Sequence, residues 1–244
     1  MSNIDNVTPK EKWKFDKDVA DCFENMLERS IPNYRVMRNL ITQTVVNSIS
    51  INPNKKSINI LDLGCSDGLM IESMKDRLDS FNNDFFITGC DCSQPMIDKA
   101  LNRFKSDSNI NIINCDLRDY VPKNKSGWDV VTSCLTIQFT PIEYRQRILH
   151  NIYMSLNNHS VFIMVEKVLG NTNEINDLMV NTYYDMKRDN GYSNKQIENK
   201  RKSLEGVLVP VTNDMNVQFL KSAGFSQVDV FWRWMNFVGY IAIK

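Results

Sequence analysis

The run Gly64-Cys65-Ser66-Asp67-Gly68 follows directly on a short apolar stretch, 58–63, that carries Asp62 near its end. A buried strand that breaks into a glycine-bearing turn and then a helix offers a ligand bare backbone and a helix N-terminus. Chemistry is therefore expected on whatever lies in this turn. The later apolar runs end in Asp91 and Cys92, then Asp116 and Leu117, then Cys134. In an open parallel sheet ligands sit beyond the carboxyl ends of the strands, so these residues should converge. Asp91 follows the turn at about the interval at which a dinucleotide fold keeps the acid that grips ribose hydroxyls. Asp116 suits an exocyclic amine. Two acids beside a glycine turn fit a neutral or cationic nucleoside better than a pyrophosphate.

Three chemistries compete for the turn. A nicotinamide or flavin site wants G-x-G-x-x-G, and Ser66 stands in place of the second glycine. The same string matches a hydrolase nucleophile elbow with Ser66 as nucleophile. That reaction needs a histidine base, and the chain holds only His150 and His159. The first reads as helical and the second as part of an Asn-rich turn. An S-adenosylmethionine site meets neither objection and fits best. Asp62 and Asp67 also suit a helix cap, Asp116 a turn, and Lys200-Arg201-Lys202 a solvated helix face. The six cysteines show no C-x-x-C pair and no zinc spacing, so reduced, mostly buried thiols and no metal are expected.

The elements that must position these residues read as an alternating chain. Amphipathic helices are predicted over 15–29 and 34–50, with a polar loop over 52–57. Strands are predicted over 58–63, 85–90, 110–115, 129–134 and 161–165, with helices such as 94–104 and 141–156 between them. Such alternation predicts a parallel sheet covered on both faces. Two runs separated by two residues, 228–234 and 237–243, predict a terminal antiparallel pair. The basic, Asn- and Tyr-rich stretch 170–210 reads as a helical insertion. One Rossmann-like α/β domain over 1–244 is expected.

Composition narrows the partners. The 244 residues are 42% apolar and 24% charged, with 29 basic and 29 acidic side chains. No net field favours nucleic acid or an anionic membrane. No apolar run nears the roughly 20 residues of a membrane span, and the N-terminus lacks a signal-like apolar core. A cytoplasmic enzyme acting on a small molecule, with no direct nucleic-acid or membrane partner, is expected.

Four blocks carry a family resemblance. They are Phe15-Asp16-Lys17-Asp18-Val19-Ala20 with Glu28-Arg29-Ser30-Ile31-Pro32-Asn33-Tyr34; Asp62-Leu63-Gly64-Cys65-Ser66 with Gly89-Cys90-Asp91 and Pro95-Met96-Ile97; Leu135-Thr136-Ile137-Gln138-Phe139; and Lys187-Arg188-Asp189-Asn190-Gly191-Tyr192-Ser193 with Lys200-Arg201, Leu204-Glu205 and Ala223-Gly224-Phe225. Through them the chain resembles the carboxy-S-adenosyl-L-methionine synthases, a branch of the class I methyltransferase-like fold. The resemblance implies seven strands in the order 3-2-1-4-5-7-6, with a helical lid over about 10–50 whose inner edge is Tyr34. The resemblance implies that prephenate gives up carbon dioxide to the S-methyl group of S-adenosyl-L-methionine, by way of a sulfonium ylide. The product, carboxy-S-adenosyl-L-methionine, then serves a partner enzyme in tRNA modification. It also implies that Tyr34, Gly64, Cys65, Ser66, Asp91, Cys92, Asp116, Leu117 and Cys134 surround the cofactor. Arg201 would bind the carboxylate across a homodimer. Cys92 and Cys134 stand where the family has asparagines, Asp67 where an apolar residue is usual, and Val165 where a serine precedes Glu-Lys. These departures keep open a small-molecule methyltransferase, or an enzyme that cyclises or cleaves the cofactor.

Overall fold

The computed structural model describes residues 4–9, 11–49, 55–80 and 84–244. The loop expected over 52–57 lies outside them up to residue 54. So do residues 10 and 50, the bounds expected for the lid. The chain opens with α1 (Lys17–Asp21), α2 (Phe23–Ser30) and α3 (Tyr34–Ile49). The expected single helix over 15–29 is thus two. Cys22, at φ −119° and ψ 14°, leaves the helical region, and its N–H turns back to the Val19 carbonyl at 3.3 Å. Asp16 caps the first of the pair through the Val19 N–H at 3.1 Å.

Then β1 (Ser57–Leu63), α4 (Leu69–Leu78), β2 (Asp84–Asp91), α5 (Gln94–Arg103), β3 (Ile110–Asn114) and β4 (Trp128–Cys134) alternate. After a short 3-10 turn at Ile137–Phe139 come α6 (Ile142–Ser155) and β5 (Leu156–Leu169). The insertion holds α7 (Asn173–Asp189) and α8 (Asn194–Leu204), and β6 (Val211–Thr212), α9 (Asn213–Ala223), β7 (Gln227–Trp234) and β8 (Phe237–Ile243) close the chain.

The strands run β3-β2-β1-β4-β5-β8-β7, with β6 paired to the end of β5. This is the predicted order of seven, plus a two-residue strand too short to leave a sequence signal. Only the pairings of β8 are antiparallel. β5 is far longer than the expected 161–165. Its ladder with β4 jumps from Trp128 opposite Leu156 to Val130 opposite Val161, and His159, at φ 61°, sits in the irregular stretch between.

Side-chain parity sorts the sheet into two buried faces. Ile58, Ile60, Val130, Val161, Ile163 and Val165 pack with Met37, Ile41 and Val45 of α3 and with α4 and α5. Leu61, Leu63, Val131, Phe162 and Met164 pack with α6 and α9 on the other side. By the same alternation Asp62, Cys134 and Lys167 belong to the α3 face. A third cluster joins Trp13, Val19, Phe23 and Met26 to Met96 of α5 and fixes the N-terminal helices against the sheet's edge.

One buried cation holds the segment after β4 in place. Arg145, 2% exposed, donates to the carbonyls of Thr140, Gln138 and Val209 at 2.7–3.1 Å. Arg145→Ala leaves those carbonyls unpaired in a dry site, and urea unfolding should show a loss of about 3 kcal/mol.

Candidate functional site

The turn after β1 is built to expose backbone. Gly64 and Gly68 take φ of 73° and 87°, and a Cβ on Gly64 would lie 2.1 Å from Thr136 Oγ1. Ser66 also sits in the left-handed region, at φ 51°. Two interactions hold it there. Gly64 and Cys65 donate to the Cys90 carbonyl at 2.8 and 3.0 Å. Asp91, at the end of the neighbouring strand, accepts from Ser66 N–H at 3.0 Å and Ser93 N–H at 2.8 Å. Burial raises the Asp91 carboxyl above its ordinary range, and these amides oppose the shift.

The turn opens into a cavity of about 720 Å³, within the range of small-ligand sites. All nine residues expected around a cofactor line it: Tyr34, Gly64, Cys65, Ser66, Asp91, Cys92, Asp116, Leu117 and Cys134. Trp13, Phe15, Phe23, Met26 and Leu27 form an apolar wall from the N-terminal segment. At the acidic end, Asp116 is clasped by Arg118, whose Nε and Nη2 donate at 2.6–3.0 Å and hold its carboxyl below the usual range.

Beside the turn, Asp62 is 2% exposed. Its Oδ1 accepts from Thr132 Oγ1 at 2.7 Å, whereas Oδ2 is buried without a partner. Burial pushes its pKa up to about 7, against the Thr132 bond. Asp62 is therefore no helix cap: α4 starts from Gly68, which has no side chain to cap with. Burial also pushes the thiol of Cys134 far up, with Asp62 and Glu166 adding to the effect, so this wall of the cavity is a neutral sulfhydryl.

Opposite the acids the lining turns basic. Lys167 continues β5 beyond the level of Cys134, which pairs with Val165. Its Nζ stands 4.5 Å from the ring centre of Tyr183 and 5.9 Å from that of Phe237, and burial lowers its pKa to about 8. Lys200 lies over Trp13 at 4.8 Å, with Asp5 at 3.8 Å, and burial likewise takes it to about 8. The Lys200-Arg201-Lys202 run is thus only partly the solvated face it resembles. Lys200 lines the cavity, while Arg201 and Lys202 point outward to Glu205 and Glu198 at 2.6 and 2.7 Å. Arg201 does not line its own chain's cavity. Lys167, Lys200 and Asp62 are among the polar lining groups that residue spacing missed. The strand parity that places Asp62 and Lys167 on the α3 face was their available signal.

The structure removes the hydrolase reading, since neither histidine lines the cavity. His150 Nδ1 is 3.2 Å from the Ala223 carbonyl, and His159 lies near the start of β5, away from the turn. Glu166, 3% exposed, accepts from the Ile137 N–H at 3.0 Å and fixes the start of the 3-10 turn. Burial raises its pKa to about 8.

A methyltransferase-domain family profile matches residues 60–159, which span β1 to the start of β5. Among solved structures, the plantazolicin methyltransferase BpumL, in complex with a triazolic desmethylPZN analog and SAH, aligns with a TM-score of 0.65. The alignment covers 91% of this chain and 89% of that one at 18% identity. PigF with SAH aligns at 0.60 over 97% and 63%, with 13% identity. The fold is thus that of the methyltransferases. The chain is 34% identical over 240 residues to the carboxy-S-adenosyl-L-methionine synthase of Nautilia profundicola, 98% of this chain and 97% of the relative. Against the enzyme of the same name from Staphylococcus epidermidis it is 34% identical over 96% and 97%. It belongs to the carboxy-S-adenosyl-L-methionine synthase family, and S-adenosyl-L-methionine is its cofactor.

The site's residues suit that cofactor. Asp62 Oδ2 is an unpaired buried acceptor that a cationic group would compensate, and Asp91 at the end of β2 lines the cavity. Because the Asp62 pKa is raised, its charge is present above about pH 7 and lost below it. Affinity for S-adenosyl-L-methionine, followed by calorimetry, should therefore fall as pH drops through 7, approaching about tenfold per unit. Asp62→Asn should flatten that profile at the weaker level.

Proposed function

We propose that the chain converts S-adenosyl-L-methionine and prephenate into carboxy-S-adenosyl-L-methionine, phenylpyruvate and water. One observation carries the reading beyond the family: a cavity acidic at the cofactor turn becomes basic across from it. Lys167 has no carboxylate partner among the described residues, and Lys200 shares only the distant Asp5. An anionic co-substrate compensates two buried ammonium groups; a cationic methyl acceptor does not.

The atoms balance without a histidine. Prephenate loses its ring carboxylate as carbon dioxide and its ring hydroxyl as hydroxide, which leaves phenylpyruvate. Held here, S-adenosyl-L-methionine would supply an S-methyl group acidified by its sulfonium; the hydroxide would leave as water with a proton of that group, and the carbon dioxide would become its new carboxyl. The residues of this chain bind and orient, and their fixed charges do the stabilising. Tyr34, Gly64, Cys65, Ser66, Asp91, Cys92, Asp116, Leu117 and Cys134 hold the cofactor, and Lys167 and Lys200 hold the donor's carboxylates. Arg201, exposed on α8, offers its planar fork to the cavity of a second copy in a homodimer. The product would feed an enzyme of tRNA modification.

A second reading keeps the cofactor and transfers or cyclises it instead. Cys134 favours it, because a neutral thiol gives the cofactor a weak donor at most. Mass analysis of the cofactor released from the purified protein separates the two. After prephenate is added, a species heavier than S-adenosyl-L-methionine by one carbon dioxide is expected. Plain or demethylated cofactor, unchanged by prephenate, would sink the synthase reading.

Two further outcomes follow from the lysines. Lys167→Gln should raise the KM for prephenate about tenfold to a hundredfold while sparing cofactor affinity, the size of one charge-assisted contact. Both ammonium groups lose their protons above about pH 8. Initial-rate kcat/KM for prephenate should therefore decline as pH rises through 8.

A further inference from the structure

Lys200 reaches the cavity from α8, yet the carboxylate beside it stays out of contact. Its Nζ is 3.8 Å from Asp5 Oδ2, beyond the reach of a hydrogen bond, and 4.8 Å from the ring centre of Trp13. A buried carboxylate next to a lysine ordinarily takes the ammonium, since a charge-assisted bond is the stronger one. Here another donor holds the oxygen. The Tyr192 hydroxyl donates to Asp5 Oδ2, and Ser30 Oγ donates to the Tyr192 hydroxyl at 3.2 Å. Asp5 Oδ1 accepts from the Val7 N–H at 3.1 Å. Tyr192 is buried, which together with Asp5 raises the pKa of its phenol, so it remains a donor. Its own place is fixed by a bond from its N–H to the Lys187 carbonyl at 3.0 Å and by the Arg29 guanidinium, 4.1 Å from its ring centre.

Lys200 lines the cavity, whereas Asp5 and Tyr192 lie behind it and do not. Among the described residues Lys200 comes within ion-pair distance of Asp5 alone. The other ionisable groups around it are Arg29 on α2, Lys187 on α7 and the Cys22 thiol, and the first two repel an ammonium. Asp5 is therefore the group able to neutralise Lys200 from within the chain. We infer that Tyr192 is a positioning residue for the anion site: by occupying Asp5 it keeps that carboxylate from pairing with Lys200 and leaves the ammonium to an anion in the cavity. The inference rests on the anionic co-substrate proposed above.

Trace acetylation with acetic anhydride over a series of pH values, read by mass spectrometry, follows the Lys200 amine without prephenate. In Tyr192→Phe the freed Asp5 oxygen should draw in the ammonium, so the Lys200 pKa should rise from about 8 to about 9 or above. The KM for prephenate should rise about tenfold, the size of one charge-assisted contact, with S-adenosyl-L-methionine affinity by calorimetry unchanged. Adding Asp5→Asn to that variant should undo both changes. A Tyr192→Phe chain acetylated as the wild type is, or a raised KM that Asp5→Asn leaves in place, overturns the inference, since the tyrosine would then only support the fold. Asp5→Asn by itself is an independent check, and an unchanged or lower KM is expected. A KM about tenfold higher in that variant would mean that Asp5 orients Lys200 for the anion, and it overturns the inference too. If the wild-type chain turns over no prephenate, the substrate proposal fails, and the acetylation profiles still decide the role of Tyr192.

Discussion

The Asp91 carboxylate ties the strand end to the turn, and the rest of the site depends on that tie. Ser66 holds a left-handed backbone that a non-glycine residue adopts at a cost of about 1 kcal/mol or more. The bond from its N–H to Asp91 fixes the geometry, and the Ser93 N–H occupies the other oxygen. Asp91 thus joins the turn after β1 to the start of α5. Gly64 lets the turn lie against Thr136, which begins the segment after β4. Three strand ends are brought to one cavity through this corner.

Charge within the cavity is arranged against the stability of the unliganded chain. Asp62 and Glu166 have folded-state pKa values raised to about 7 and about 8, from ordinary carboxyl values of 3.8 and 4.5. The folded chain therefore binds more protons than the unfolded one across that window, and stability falls as pH rises through it. Lys167 and Lys200 are lowered from 10.5 to about 8, so they act in the opposite sense: stability is lost as pH falls from about 10.5 to 8. Near neutrality all four groups carry desolvated charge or sit at its edge. Such groups are poor choices for a fold and good ones for binding a zwitterion and an anion.

How much of this the sequence discloses depends on the range of each signal. Parity along 58–63 and the break at Gly64 are local, and they located the first strand and the turn; the sheet order came from the fold that the family resemblance implies. Strand-end positions then brought eight residues to one cavity, and the family resemblance added Tyr34 of α3. Lys200 could not be read this way. On a helix, adjacent residues are turned about 100° apart, and which of three consecutive cations faces inward depends on Trp13 and Tyr192, far away in sequence. Asp62 resembled a cap because capping and strand-end acids share a spacing; Thr132, its in-register partner on β4, decides the matter. The break at Cys22 and the two residues of β6 leave too little pattern to detect.

The α3 face ties fold to chemistry. Alternation along β1, β4 and β5 sends Asp62, Cys134 and Lys167 to one side of the sheet, and the strand order 1-4-5 spaces them in a row. An acid, a neutral sulfur and an ammonium follow one another at the carboxyl ends of three parallel strands, in the cavity that Tyr34 of α3 also lines. Under the proposed reaction, proton transfer at the S-methyl group would need no resident histidine, because the base would come with the anion assigned to the two lysines. The small histidine supply and the surplus of buried cations are then two aspects of one design: the fold fixes charges, and the substrates bring the reactive groups.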